Sequence, residues 1–191
     1  MLTKLIFSII ITLWLVVYYW YRSAPSAYVK SSIDNKYYLV QDKPDKQDVA
    51  DALAYIRKNV KALTKHMIAT APEKYKPYVE RLRKRLSHVV ISENISDFYY
   101  TSYSVNKGEQ LVFCMRSRKE KDKRHDINLM MYVVLHEISH IACPEYGHGQ
   151  LFKDIFKYIT ESAITLGIYS PIDFKAEPTE YCGMTISESI V

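Results

Sequence analysis

Residues 130–156 read MMYVVLHEISHIACPEYGHGQLFKDIF, and the fold turns on the five residues His136-Glu137-Ile138-Ser139-His140 inside them. An H-E-x-x-H segment on an apolar, helix-length stretch has a mechanical consequence. Side chains four apart share one face of a helix, so the imidazoles of His136 and His140 can hold one metal ion. Glu137 stands beside them, placed for a carboxylate to act as general base on water. Upstream, Asp126 caps the helix, and Ile127, Met130, Met131, Val134, Leu135 and Ile138 form its apolar body. Downstream, Pro144 ends it.

A catalytic zinc usually has three protein ligands and one open position. Three residues compete for the third place: His148 after the proline turn, Glu145 within the turn, and Glu161 on a following helix over about 150–166. The metzincin spacing is absent, because Cys143 and Tyr146 stand where its Gly and His would be. Cys143 reads as a small buried hydrophobe rather than a ligand. His66, His88 and His125 read as surface positions.

Working outward toward the N-terminus, the periodicity changes to two. Val89-Val90-Ile91, residues 98–105 and residues 111–115 are rich in β-formers. Asn106-Lys107-Gly108-Glu109 supplies turn chemistry between the last two, which predicts a hairpin. Residues 116–124 (RSRKEKDKR) read as a charged surface loop. Before the strands, Val49, Leu53, Ile56, Val60, Leu63 and Met67 recur at helical steps, with Asp45 as the cap and Pro72 as the stop. A second helix from Pro77 turns Val79, Leu82 and Leu86 inward and Arg81, Arg83, Lys84 and Arg85 largely outward. The tail from Pro171 reads as irregular, returning to the active-site face through Tyr181-Cys182-Gly183-Met184.

At the N-terminus, residues 5–21 (LIFSIIITLWLVVYYWY) carry no charge and end in Trp and Tyr, the pattern of a transmembrane anchor. A cleaved signal peptide is the alternative, but bulky aromatics and Pro25 sit at its cleavage site. Lys4 precedes the segment, whereas Arg22, Lys30 and Lys36 follow it, so the positive-inside rule places the body in the cytosol. The organisation expected is an anchor over 1–22, a polar linker over 23–46 containing an extended piece at 37–40, and a catalytic domain over 47–191.

Composition supports a folded core, with 48% hydrophobic residues and only five glycines. A net charge of +5 demands neither nucleic acid nor membrane. Three cysteines with no close pairing argue against a disulfide framework.

Residues 102–118 (SYSVNKGEQLVFCMRSR), 135–152 (LHEISHIACPEYGHGQLF) and 164–169 (ITLGIY) together resemble the WLM family of zinc metallopeptidases, relatives of the SprT-like proteases. The tail YCGMTI at 181–186 is similar to the version found in large DNA viruses. The resemblance implies His136, His140 and His148 as ligands of Zn2+, with Glu137 as general acid/base. It implies an α+β fold: a minimal zincin-like domain with a small mixed sheet on the H-E-x-x-H helix, here placed after the N-terminal transmembrane helix. Residues 111–115 are the expected edge strand over the cleft, where a protein or peptide substrate would add as a further strand. The function expected is a membrane-anchored zinc metalloendopeptidase. The alternative is a non-catalytic, zinc-containing, membrane-anchored binding module. DNA is a further candidate partner, through the basic residues at 81–85 and 116–124.

Overall fold

The structure, a computed structural model, describes residues 2–22, 25–95, 101–120 and 123–191. The start of the expected strand at 98–105 and part of the charged loop lie outside these residues.

The long periodic segment forms helix α2 (Lys46–Thr70), and all six apolar positions named from its spacing are buried. A 3-10 turn at Glu73–Tyr75 then leads into α3 (Lys76–Leu86), whose Val79 and Leu82 point inward. Strands β3 (Val90–Glu93), β4 (Tyr103–Val105) and β5 (Gln110–Phe113) make one mixed sheet in the order β3-β5-β4. β3 runs parallel to β5, and β4 runs antiparallel to it with Val105 opposite Gln110. The turn between β4 and β5 places Asn106, Lys107 and Gly108 at φ of 47°, 51° and 117°. Gly108 is needed there: a Cβ would stand 3.0 Å from Arg85 Cβ and 3.2 Å from Ile141 Cγ2, besides its positive φ.

This order corrects the edge expected at 111–115. β5 is the central strand, and β4 is one of the two edges, with no further strand paired to it among the described residues. The burial of Leu111, Val112 and Phe113 in unbroken succession follows from that position, since a central strand is covered on both faces.

Helix α4 (Ile127–Ala142) carries the H-E-x-x-H segment, and Asp126 caps it by accepting from Asn128 N at 2.8 Å and Leu129 N at 3.3 Å. α5 (Gln150–Thr165) packs on α4 through Phe152, Ile155 and Ile159. The core unites α2, α4, α5 and the sheet.

Several expectations change. Residues 26–41, expected as a polar linker, hold the antiparallel hairpin β1 (Ser26–Lys30) and β2 (Tyr37–Gln41), with Tyr38 and Val40 in the core. Asp45 starts α2 without capping it, because its carboxylate instead pairs with Arg116. Arg116 itself is buried, held by Glu93 at 3.0 Å, and so is not part of an exposed loop. The tail forms a hairpin, β6 (Thr179–Tyr181) with β7 (Met184–Ile186), turned at Cys182 (φ 51°) and Gly183 (φ 86°). Cys114 and Cys182 are joined in a disulfide, which local spacing gave no reason to expect.

The transmembrane helix at 1–22 is corrected too. The segment is helical, α1 (Leu2–Arg22), yet among the described residues no helix is long and apolar enough to cross a membrane. Its uncharged stretch, residues 5–21, measures about 25 Å at ~1.5 Å per residue, against roughly 30 Å of hydrocarbon. The membrane anchor does not stand, and neither does the cytosolic placement inferred from it. α1 leaves large apolar side chains exposed, Leu5 and Trp14 among them.

Candidate metal centre

Four residues predicted as the site come together at the C-terminal half of α4. His136 and His140 project from one helical face, one turn apart. His148 reaches them from the loop between α4 and α5. The Nε2 atoms form a nearly equilateral triangle: 3.1 Å from His136 to His140, 3.0 Å from His140 to His148 and 3.1 Å from His148 to His136. Three imidazoles that close, all through Nε2, could hold a metal ion. Tetrahedral zinc with Zn–N of about 2.0–2.1 Å needs nitrogen separations of roughly 3.3 Å, so small shifts would seat an ion. Among the described residues, the triad is the cluster that could hold a metal ion. Glu161 is instead exposed on α5, 3.9 Å from Lys157, and Glu145 is exposed in the turn.

The rings are held by packing. Phe152 stacks on His140 with centroids 4.2 Å apart, and Phe156 meets His136 edge-on at 5.3 Å. Burial pushes the His136 pKa down to about 3, helped by His140 and His148. It lowers His140 to about 4, helped by His148 and then Lys107. Both imidazoles are therefore neutral near pH 7, the form in which nitrogen donates to a metal.

His148 owes its position to a residue that sequence reasoning missed. Lys107, at the tip of the β4–β5 turn, donates to the carbonyls of Cys143, Pro144 and Glu145 at 3.0, 2.9 and 3.0 Å. Its ammonium also lies 4.2 Å from the Tyr146 ring centroid. It thereby satisfies carbonyls at the C-terminus of α4, fixing the turn that brings His148 back. The signal was its place in a positive-φ turn, but its target lies 36 or more residues away.

Glu137 is 8% exposed, and no hydrogen bond or ion pair reaches its carboxylate among the described residues. Burial raises its pKa to about 7. It lines a cavity of about 420 Å³ together with His136, His148, Phe156, Thr101, Ser102 and residues of the C-terminal hairpin. Tyr181 from that hairpin is 2% exposed and shares a hydrogen bond with Ser102 Oγ, which in turn accepts from Cys114 N at 3.1 Å. His125, expected on the surface, is half-buried against Tyr181 and accepts from Cys182 N at 3.1 Å. Cys143 is free and buried.

Comparison with known proteins adds three findings. No family model matches the chain. By sequence, it is 44% identical to uncharacterized protein R325 of Acanthamoeba polyphaga mimivirus over 87% of this chain and 85% of that one. It is 38% identical to uncharacterized protein 136R of Invertebrate iridescent virus 6, over 42% of this chain and 44% of that one. By structure, it resembles the crystal structure of Wss1 from Saccharomyces cerevisiae, with a TM-score of 0.52 at 16% identity, covering 67% of this chain and 86% of that one. A Wss1 mutant gives a TM-score of 0.51. The structural likeness shows a shared α+β, WLM-like fold. The sequence likeness goes further: the chain belongs to the family of the mimivirus R325 protein.

Proposed function

We propose that this member of the R325 family is a zinc-dependent metallopeptidase that hydrolyses peptide bonds in protein substrates. One observation carries the proposal: three imidazole Nε2 atoms within 3.1 Å of one another, beside a buried glutamate with no partner. The WLM-like fold and the WLM motif pattern support it.

His136, His140 and His148 would hold zinc through Nε2, leaving a fourth position open. When bound, zinc supplies a water of lowered pKa and polarises a carbonyl oxygen. Glu137 accepts the proton released by water and returns it to the leaving amine. Its raised pKa suits both halves of that transfer, because a group near neutrality gains and loses a proton at similar cost. A purely structural zinc site has no use for this carboxylate, whose unpaired burial costs stability. That weighs against the non-catalytic binding module.

The substrate would enter as an extended chain along β4. Thr101 and Ser102 at one end of this segment line the cavity containing Glu137, and Ser104 lines a second cavity beside His140. The open edge therefore passes along the site, offering backbone groups for strand addition.

The test is proteolysis of an unfolded protein such as casein by the zinc-loaded chain and its Glu137→Gln variant, with metal content measured on both. Cleavage by the parent, lost in the variant while zinc is retained, is expected. Equal cleavage by both would sink the role of Glu137; full zinc with no cleavage by the parent would favour the binding module.

A further inference from the structure

The cavity on the His140 side has no counterpart in the chemistry above. It measures about 660 Å³ and is lined by Arg81, Arg85 and Lys107 together with Ser104, His140 and Glu145. Three cations thus face one carboxylate. None of the three makes an ion pair with a described residue. Arg81 Nε donates to Ile141 O at 3.1 Å, Arg85 to Asn106 O at 3.4 Å, and Lys107 to its three carbonyls. All of these partners are neutral, so positive charge is left over. Lys107 registers it: its pKa is lowered first by burial, then by Arg81, with Arg85 adding to the effect.

Helix α3 shows that this is a local arrangement. Its outward cations are neutralised by Glu80, which receives Arg83 through two bonds of 2.7 Å and lies 3.5 Å from Lys84. Arg81 and Arg85, four apart on the face toward the site, have no such acid. A phosphate backbone is best held by a continued stripe of charge, whereas here the neighbouring cations are already paired and the unpaired ones converge on one pit.

We infer that this cavity is a subsite for an acidic side chain of the peptide substrate, within two residues of the scissile bond. The inference rests on the peptidase reading. Ser104 of β4 and His140 line the same cavity, so a peptide laid along that edge delivers a side chain into it close to the reacting carbonyl. Successive strand residues advance only ~3.3 Å, and alternate ones point the same way, which limits the reach to one or two positions. Aspartate or glutamate there meets unpaired cations, while lysine meets like charge.

The experiment uses the zinc-loaded full chain and peptides identical except for Glu, Gln or Lys at one position. That position is moved through two residues on either side of the cleaved bond, and the cut is mapped by mass spectrometry. At one position, kcat/KM for Glu should exceed that for Gln by about five- to tenfold, with Lys slower still. Arg85→Glu should abolish or reverse that order, and Lys84→Glu, on the outward face, should retain it. Equal rates for all three peptides at every position, or a preference that Arg85→Glu leaves intact, overturns the subsite. If the parent cleaves no peptide, the peptidase reading has failed, and fluorescence anisotropy reads the cavity independently on the same zinc-loaded chains. Tighter binding of Glu than of Lys peptides, reversed by Arg85→Glu, supports it; equal binding overturns it. A single-stranded oligonucleotide that binds more tightly than any peptide and is released by Arg85→Glu would assign the cavity to phosphate instead, and overturn it as well.

Discussion

Two glutamates are buried among the described residues, and they are treated in opposite ways. Glu93, 1% exposed at the end of β3, accepts from Gln41 N at 2.6 Å and from Arg116 Nε at 3.0 Å. Arg116 in turn reaches Asp45, so the hairpin, the start of α2 and the sheet are tied by one polar cluster. Glu137, in the C-terminal half of α4, has no such partners. Burial raises the pKa of both, but for Glu93 the Gln41 amide and the Arg116 guanidinium oppose it, whereas for Glu137 nothing does. A buried carboxylate that is compensated holds elements together. One left uncompensated is free to exchange a proton.

The largest expected effect separates the two directly. Glu137→Gln should lower peptidase activity by about 10²–10⁴-fold while leaving the melting temperature unchanged or higher, since it removes an unpaired buried acid. A variant that loses both activity and stability would place Glu137 with Glu93 as a structural residue. Next comes Arg116→Ala, which strands Glu93 in the core. A loss of about 3–5 kcal/mol in denaturant unfolding is expected. Replacing Glu93 and Arg116 together by methionine should recover most of it; failure to recover would mean that Arg116 acts through packing rather than charge.

Smaller is the effect of the disulfide, which secures the wall of the Glu137 cavity. Cys114 and Cys182 are 68 residues apart, and Cys182→Ser or reduction should cost about 2–4 kcal/mol by freeing that loop in the unfolded chain. Equal stability of oxidised and reduced protein would refute this. The smallest effect appears only in alkali, and it touches both regions. Tyr38 beside the hairpin and Tyr132 beside the cleft have pKa values raised to about 12, in each case chiefly by burial. Folded-state values above the ordinary 10.0 mean that the stability linked to the protonated phenols is intact below pH 10. It is lost as pH rises toward 12. Ultraviolet titration of the native chain should find these tyrosines ionising well after the exposed ones; a single native transition near the ordinary value would contradict it.

Legibility followed sequence distance. The spacing of His136 and His140, the Asp126 cap, the apolar stripe of α2 and the turn at 106–109 are all set within a few residues, and each is found as read. Which strand forms the edge was misread, because a strand's own composition does not name its neighbours. The unbroken apolar run Leu111-Val112-Phe113 was the available clue to a central strand. Arg116 looked like loop because eight charged or polar residues follow it in the run to Arg124, and its partners lie 23 and 71 residues away. The apolar composition of the N-terminal segment similarly suggested more than the described helix supports.

By itself, the sequence determined the chemistry on offer: a helix presenting two imidazoles and a carboxylate on one turn, because helical geometry fixes neighbours at i+4 without reference to the rest of the chain. For the third ligand it favoured His148 over Glu145 and Glu161 without deciding among them. Only the tertiary structure brought His148 within 3.1 Å of the pair, through a lysine strap from a distant turn. Only there did Glu137 lose its solvent without gaining a partner, and Arg81, Arg85 and Lys107 gather beside His140. Burial and unpaired charge are properties of what surrounds a residue, and the surroundings are assembled from segments that the linear chain keeps apart.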